Sequence, residues 1–136
     1  MPLDLINFQD AIASLDEAML ISQDPDLDGA LKTVIQAGVI KRFEFTYEMS
    51  WKYIKRWLEI NVSPNTADGV TRRELFRHGY EHQLIQSVDQ WMKYHLARND
   101  TSHTYRKETA DAVYAAIPSF LTDARLLLAA LEARND

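Results

Sequence analysis

A short polar segment late in the chain carries the side chains best suited to chemistry. Arginine stays charged at physiological pH and can hold a phosphate group through two parallel hydrogen bonds. Histidine titrates near neutral pH and can therefore transfer protons. An arginine, a histidine five residues later and a tyrosine two further on are a minimal set of groups for work on phosphate esters. The segment reads Arg98-Asn99-Asp100-Thr101-Ser102-His103-Thr104-Tyr105.

Each residue of this segment also has a purely structural explanation. An arginine such as Arg98 is favoured in the last turn of a helix by the free carbonyl groups and the helix dipole. Asn99 could end that helix, and Ser102 or Thr104 could cap the next one. A single histidine such as His103 is more often a hydrogen-bonded loop residue than a catalyst. A functional interpretation therefore depends on the combination and on the rest of the chain.

The first half of the chain predicts two helices that lie upstream of this segment. The first ends before Asp24-Pro25, because proline disfavours helical geometry in the preceding residue. A second helical region starts after Asp26 or Asp28 and runs to about Ile60, and Gly38 could interrupt it. The apolar stripe of the first helix comprises Leu5, Phe8, Ile12, Leu15 and Met19. The second region has two stripes, Phe43, Tyr47, Trp51, Ile54 and Leu58 on one face and Phe45, Met49 and Tyr53 on another. Two apolar faces indicate a central helix, or one that uses a face to bind a partner chain.

The second half of the chain predicts three more helices. Residues 61–70 form a loop, and Thr71 and Glu74 match a capping box that opens a short helix ending near Gly79. The next helix carries the chain to Arg98. The last is long, and Pro118 should kink it or start its second half. The helix before the motif is marked by Leu84 or Ile85, Val88, Met92 and His95 or Leu96, and the last one by Val113, Ile117, Phe120, Ala124, Leu127 or Leu128 and Leu131. With no strand pattern, the expected fold is all-α: one domain, residues 1–136, built as an antiparallel up-and-down four-helix bundle with one additional short helix.

Composition and charge limit the possible functions. The 136 residues include no cysteine, which excludes disulfides and thiolate chemistry. No apolar run reaches the ~18 residues of a membrane span, and the start of the chain lacks the pattern of a signal peptide, so we expect a cytoplasmic protein without a membrane partner. The net charge of −5 argues against broad binding to nucleic acid, and DNA is not expected as a ligand. Seven of the 15 lysine and arginine residues, and all four histidines, nevertheless fall within residues 72–107, where a local anion site is possible.

Two pairs of residues could suggest a metal site. His78 and His82 have the spacing of half a zinc site, but Gly79 should break the helix between them and no third ligand is near. Glu44 and Glu48 share a helix face and are more simply explained by ion pairs with Lys41, Lys52 or the basic segment. We therefore predict no metal site and no cofactor.

The motif also resembles a known family. Arg98, His103 and Tyr105 match the Arg-x4-His-x-Tyr signature of the HEPN superfamily (higher eukaryotes and prokaryotes nucleotide-binding domains). The upstream sequence from Phe43 to Lys52 is similar to the second helix of one HEPN subgroup, the nucleotidyltransferase substrate-binding proteins. The matching positions in that helix include Glu44, Glu48, Trp51 and Lys52. The resemblance covers nearly the whole chain in helix order and length.

The resemblance implies a partner and an activity. Proteins of this subgroup are usually encoded beside a minimal nucleotidyltransferase and assemble with it. Many HEPN domains, HepT-like toxins among them, are metal-independent endoribonucleases whose composite site forms across a homodimer. On this basis Arg98 would hold the scissile phosphate, Asn99 would bind or orient it, and His103 would act as general acid or base. Tyr105 resembles the tyrosine that the partner nucleotidyltransferase modifies with AMP, which would neutralise the toxin.

Two other interpretations stay open on the sequence alone. The chain could be a non-catalytic subunit that presents a nucleotide or another substrate to the nucleotidyltransferase, as the subgroup's name implies. It could also be a purely structural helical adaptor, although an adaptor would not need Arg98, His103 and Tyr105 together. The acidic net charge favours a small nucleotide or a very local contact with RNA.

Overall fold

The computed structural model describes residues 2–135, and the regular structure in this part of the chain is entirely helical. Four main helices and one short one follow in chain order, and a single turn of 3-10 helix, Thr101–His103, separates the last two. The helices are α1 (Ile6–Ser22), α2 (Gly29–Asn61), α3 (Arg72–Glu81), α4 (Val88–Asp100) and α5 (Lys107–Ala133). The predicted all-α fold is confirmed.

Side-chain contacts between the helices give their directions. Thr46 on α2 donates a hydrogen bond to the carbonyl of Ala11, whereas Tyr53 donates one to the carbonyl of Asp4, so α1 and α2 run antiparallel. Asp16 contacts Arg125 and Ser22 contacts Tyr114, so α5 runs antiparallel to α1. Gln36 contacts Asp111 and Trp57 contacts Arg134, so α5 runs parallel to α2, and α4, which the 3-10 turn joins to the start of α5, runs in the opposite direction. The four main helices therefore run up, down, up and down, and the motif lies where α4 ends and α5 begins.

An aromatic cluster in the core fixes α4 and α5 against α2. Phe120 of α5 is fully buried and lies edge-on to Phe43 of α2, with 5.0 Å between ring centroids. It also packs edge-on against Tyr94 and Trp91 of α4, at 5.2 and 5.8 Å. Edge-to-face contacts of this kind add to the energy of burial itself. The position of α4 relative to α2, on which the site depends, is thus set by buried rings.

The starts of α2 and α3 agree with the sequence prediction. The Asp28 carboxylate accepts a hydrogen bond from the amide of Leu31 at the start of α2. At the start of α3, the Thr71 hydroxyl accepts one from the amide of Glu74 and donates another to the Glu74 carboxylate. Polar side chains at these positions satisfy amide groups that have no partner within the helix.

Several expected helix breaks are wrong. α2 runs without interruption through Gly38, and α3 continues past Gly79 to Glu81. α5 continues through Pro118, so a new helix does not start there. Pro118 removes one backbone hydrogen bond and its ring crowds the carbonyl four residues earlier, which is a local cost. Burial of Ile117 and Phe120 on either side of Pro118 favours continued helix.

α5 is long and apolar enough to cross a membrane by length and composition. The structure gives its apolar residues another role, because they form the centre of the bundle. The buried residues of α5 are Ala110, Val113, Ile117, Phe120, Leu121, Ala124, Leu127 and Leu131. A core helix meets the same compositional test, and that is the interpretation the packing favours.

Candidate functional site

Arg98 lies in the last turn of α4 and is held by two glutamates of α2. Its Nε donates a hydrogen bond to Oε1 of Glu48 at 3.0 Å, and its Nη2 lies 3.7 Å from Oε1 of Glu44. All three side chains are largely covered, with 25–32% of each exposed. Salt bridges in such partly covered positions are less screened than surface pairs. The contacts use Nε and Nη2, which leaves Nη1 as a donor for another group.

Glu48 links Arg98 to an aromatic side chain. While its Oε1 accepts from Arg98, its Oε2 accepts a hydrogen bond from the indole Nε1 of Trp51 at 3.0 Å. Glu44 also lies 3.6 Å from the ammonium group of Lys41. The expected ion pairing of Glu44 and Glu48 therefore includes Lys41 and the arginine of the basic segment.

His103 and Tyr105 lie on a different kind of surface. His103 ends the 3-10 turn after α4 and is exposed. Tyr105 is 75% exposed, its ring 6.1 Å from that of His103, and the Arg106 guanidinium lies 5.6 Å over the tyrosine ring. Both the imidazole and the phenol can therefore be reached from solvent.

The end of α4 differs in detail from the sequence prediction. α4 continues to Asp100, and its C-cap is Thr101, whose hydroxyl donates to the carbonyl of Arg98 at 2.7 Å. Asn99 is thus not the helix cap. Ser102 and Thr104 do not cap α5 either, because Arg106 occupies that position without a side-chain cap.

The structure brings together only part of the predicted site. Arg98, Glu44, Glu48 and Trp51 form one connected group. Lys52 is exposed, with its ammonium 5.7 Å from the ring centre of Trp51. Asn99 is exposed on the last turn of α4, and no hydrogen bond joins Arg98 to His103 within residues 2–135.

A buried polar pair beside Arg98 was missed by sequence reasoning. The hydroxyl of Tyr47 lies 2.9 Å from Nδ1 of His95, one turn before Arg98 on α4. Burial raises the pKa of Tyr47 well above its ordinary value, whereas burial and the nearby Arg72 lower the pKa of His95. The raised pKa keeps the Tyr47 phenol protonated, and the lowered pKa favours the neutral form of His95. Which of the two groups donates in this hydrogen bond is set by the tautomer of the imidazole. The signal was the spacing of His95 and Arg98, three residues apart on a helix, which places them on one face.

Arg72 is the second residue that sequence reasoning missed. Its guanidinium carbon lies 3.5 Å from the ring centre of Trp51, so that the cation stacks on the indole. The sequence had indicated only a helix start at this position.

A groove lies next to Tyr105, between the first half of α2 and the first half of α5. Its volume is about 690 Å³. The floor includes Ile40 and Tyr114, and the polar groups at its sides include Lys32, Gln36 and Lys107. Gln36 donates a hydrogen bond to Asp111 at 3.0 Å. Ligand sites are commonly of this size and mix apolar walls with a few polar groups.

The residues of the chain that the structure describes contain no group of three or more histidine, aspartate or glutamate side chains placed to hold a metal ion. His78 lies 3.9 Å from Glu81, and the ring of His82 packs against that of Trp57.

Comparisons with known proteins agree with the fold and with the resemblance to the nucleotidyltransferase substrate-binding proteins. Residues 3–133 match the family described as "Nucleotidyltransferase substrate binding protein like". The chain is 36% identical over 132 residues to a protein of Haemophilus influenzae named "Probable ribonuclease HepT", an alignment that covers 92% of this chain and 89% of the relative.

Two solved structures are also similar. One is HI0074 of Haemophilus influenzae, described as having the fold of a substrate-binding domain of a nucleotidyltransferase; its TM-score is 0.90 at 31% identity, covering 95% of this chain and 99% of HI0074. The other is a protein from Thermus thermophilus, with a TM-score of 0.74 at 23% identity. The match covers 91% of this chain and 98% of the Thermus thermophilus chain. At that identity it supports the fold alone.

Proposed function

Because this chain belongs to the nucleotidyltransferase substrate-binding protein family, we propose that it works with a nucleotidyltransferase and is itself a metal-independent endoribonuclease. The proposal depends on one observation: an arginine held in place by a glutamate lies five residues before an exposed histidine. Arg98 is held by Glu48 at 3.0 Å, and His103 is exposed five residues later. The ribonuclease name of the Haemophilus influenzae relative supports the same activity.

The proposed reaction is attack of a ribose 2′-hydroxyl on the adjacent phosphorus. The new bond joins O2′ to phosphorus while the bond to the leaving O5′ breaks, which yields a 2′,3′-cyclic phosphate and a free 5′-hydroxyl. A base removes the proton of O2′, and an acid supplies one to O5′. Arg98 stabilises the charge that develops on the phosphate oxygens, and Asn99 contributes to phosphate binding. His103 serves as one of the two proton-transfer groups.

The second proton-transfer group is His103 of a second copy of the chain. A two-fold axis places the same patch of each copy against its equivalent, so that one residue can serve as base and its counterpart as acid. Exposed apolar residues at the motif end of the bundle support such an interface. They are Leu20 and Ile21 at the end of α1, and Leu31 and Val34 at the start of α2. The aromatic stripe proposed for this purpose fits less well, because Tyr53 is buried against Phe8 and only Phe45 is exposed.

Tyr105 is the proposed site of neutralisation. With 75% of its surface exposed, its phenol can reach the active site of a partner nucleotidyltransferase. Transfer of AMP from ATP to the phenol oxygen, with release of pyrophosphate, would place a bulky anion two residues from His103. Charge repulsion and steric blocking would then keep RNA from the site.

A second candidate function is that of a nucleotide-binding subunit without nuclease activity. The groove of about 690 Å³ beside Tyr105 favours it, because this volume is ample for a nucleotide. In that case the groove, rather than Arg98 and His103, would carry the function.

RNA cleavage in the presence of EDTA tests the first proposal. We expect purified wild-type protein to cleave single-stranded RNA, and Arg98→Ala and His103→Ala to lose this activity. Arg125→Ala is a matched control, since Arg125 forms an ion pair with Asp16 at 2.8 Å on another face of the bundle. His78→Ala is the control for His103.

Absence of cleavage by folded wild-type dimer would contradict the nuclease proposal. Nucleotide titration of the wild type and of a groove variant, Gln36→Ala, would then test the second candidate. Tight binding that Gln36→Ala weakens, while Arg98→Ala leaves it unchanged, would support the nucleotide-binding subunit.

A further inference from the structure

Arg72 and Arg98 are connected indirectly, through Glu48 and Trp51. Glu48 accepts a hydrogen bond from Arg98 with Oε1 and from the indole of Trp51 with Oε2. The guanidinium of Arg72 stacks on the same indole, 3.5 Å from the ring centre. The two arginines are thus positioned by the same short chain of contacts, although they come from different helices.

Unlike Arg98, Arg72 forms no direct salt bridge with a carboxylate of residues 2–135, and Glu48 acts on its charge only from a longer distance. No carboxylate oxygen of these residues lies within 4.0 Å of its guanidinium, and its Nε is buried without a hydrogen-bond partner there. Burial of a cation without a direct salt bridge is costly, and a bound anion would offset part of that cost. Stacking on Trp51 also fixes the guanidinium plane, so that the N–H groups along its edge keep a defined direction.

A small cavity lies beside Arg72. Its volume is about 240 Å³, and Lys55, Trp51 and Arg72 line it together with the loop around Gly69 and Val70. Gly69 has a φ of +66°, a conformation that glycine adopts readily and that turns the loop at this point. Water occupies about 30 Å³ per molecule, so the cavity has room for a phosphate group with several waters. Two cations therefore border a cavity of suitable size.

The charge of Arg72 also reaches the predicted nuclease site. Arg72 and Arg98 both contribute to lowering the pKa of His95, which lies one turn before Arg98 on α4. Both also act on Tyr47, the partner of His95. The two arginines consequently flank one polar surface formed by α2, α3 and α4.

We propose that Arg72 and Lys55 form a second phosphate-binding site, which holds a phosphate of the RNA strand adjacent to the one held by Arg98. This inference rests on the proposed nuclease function, since it extends the same RNA-binding surface. A second contact of this kind fixes the strand in one direction across Arg98. It also lets an acidic protein bind RNA through a few well-placed cations rather than a broad basic surface.

The test is the salt dependence of RNA binding, measured in a His103→Ala background so that the RNA stays intact. Each phosphate contact on a single strand contributes about 0.7 to the slope of log K against log salt concentration. We expect Arg72→Gln to make this negative slope shallower by about 0.7 and to weaken RNA binding about tenfold at low salt. Fluorescence anisotropy of labelled single-stranded RNA measures both values.

Arg73→Gln is the matched control. Arg73 follows Arg72 in α3 but pairs with the exposed Asp89 at 3.2 Å, so we expect the slope to remain that of the parent. Arg72→Lys keeps the charge and loses the planar stack, and we expect an intermediate affinity. If Arg72→Gln unfolds, Lys55→Gln replaces it, because Lys55 contributes charge to the cavity without stacking on Trp51.

The outcomes separate this inference from the proposed function. An unchanged slope and affinity in folded Arg72→Gln and Lys55→Gln would overturn the second site, even if wild-type protein cleaves RNA. A reduced slope without wild-type cleavage would support the second site and contradict the nuclease. Absence of any RNA binding would overturn this inference regardless of the cleavage result.

Discussion

Arg98 and His103 are five residues apart in the sequence but are held in different ways. Arg98 is on a regular helix, with its guanidinium between Glu44 and Glu48 and its helix packed onto α2 by buried rings. His103 is at the end of a single 3-10 turn and is exposed. The first residue has a fixed position within one chain, whereas the second has few contacts that define its position.

This difference suggests that Arg98 and His103 have different roles in the proposed reaction. A group that binds a phosphate must be positioned before the substrate arrives, because that avoids the cost of reorganisation during the reaction. A proton-transfer group shared between two copies of the chain can instead be positioned when the dimer and the RNA come together. The five predictions that follow test this contrast.

Replacement of His103 should have the largest effect on activity and almost none on stability. General acid–base groups contribute about 10²–10⁴-fold to rates, so we expect His103→Ala to reduce RNA cleavage by that range. Because the side chain is exposed, the free energy of unfolding should change by less than about 0.5 kcal/mol. Cleavage rates and urea unfolding check the two expectations. A large loss of stability would show that His103 is a structural residue.

Replacement of Arg98 should affect both RNA cleavage and stability. We expect Arg98→Ala to lower the cleavage rate by about 10²–10³-fold through loss of charge stabilisation. It should also lower the free energy of unfolding by about 1–2 kcal/mol, since Glu44 and Glu48 lose their shared partner. Arg125→Ala, measured in the same assays, should leave the cleavage rate unchanged. If Arg98→Ala were as stable as wild type, the contrast between the two residues would be wrong.

Removing the charge of Glu48 should have a smaller effect on activity. Glu48→Gln keeps the shape of the side chain but weakens its hold on Arg98, and we expect kcat to fall about tenfold while KM changes little. Glu17→Gln, an exposed position on α1, is the control. A change confined to KM would indicate that Glu48 affects RNA binding rather than the position of Arg98.

The Tyr47–His95 pair should make stability depend on pH. Burial and Arg72 lower the pKa of His95 below its ordinary value of 6.5. As the pH falls below about 6.5, the unfolded chain binds a proton there that the folded chain does not, so the folded state loses stability until the pH reaches the lowered pKa. Urea unfolding between about pH 5 and 7 should therefore show a weaker pH dependence for His95→Gln than for wild type. Identical pH dependences would show that His95 ionises equally in both states.

Replacement of the Tyr105 hydroxyl should have the smallest effect on the protein alone. Tyr105→Phe removes one exposed oxygen, and we expect stability to change by less than about 0.5 kcal/mol and RNA cleavage to be retained. Incubation with the partner nucleotidyltransferase and ATP should then fail to inhibit the variant, while wild type gains the mass of AMP. Equal inhibition of both proteins would place the modification at another residue.

The sequence was sufficient to predict the helices. Burial of one helix face requires apolar residues every three or four positions, and that pattern is directly visible in α1 and its N-cap residue. Leu5, Phe8, Ile12, Leu15 and Met19 are all buried. The caps at Asp28 and Thr71 were predictable because a cap depends only on residues that are close together in the chain.

The site was only partly predictable, because it depends on contacts between helices. The motif identified Arg98 and His103, but nothing local shows that Glu48 contacts Arg98, 50 residues away. The stacking of Arg72 on Trp51 and the bond between Tyr47 and His95 likewise require the packed bundle. The breaks expected at Gly38 and Gly79 were wrong because buried contacts of the whole helix outweigh a local preference.

The two ends of the described chain lie together, far from the motif. The amide of Leu3 donates to the side chain of Asn135 at 2.7 Å, and the Asn135 amide group donates back to the Leu3 carbonyl at 2.8 Å. α5, which connects the motif to this end, has 27 residues and is therefore about 40 Å long. A fluorophore or a fused domain attached next to Leu3 or Asn135 would therefore leave the motif end of the bundle open. The contact between these two residues also makes this fold a suitable host for circular permutation, with the chain opened in the loop between α2 and α3.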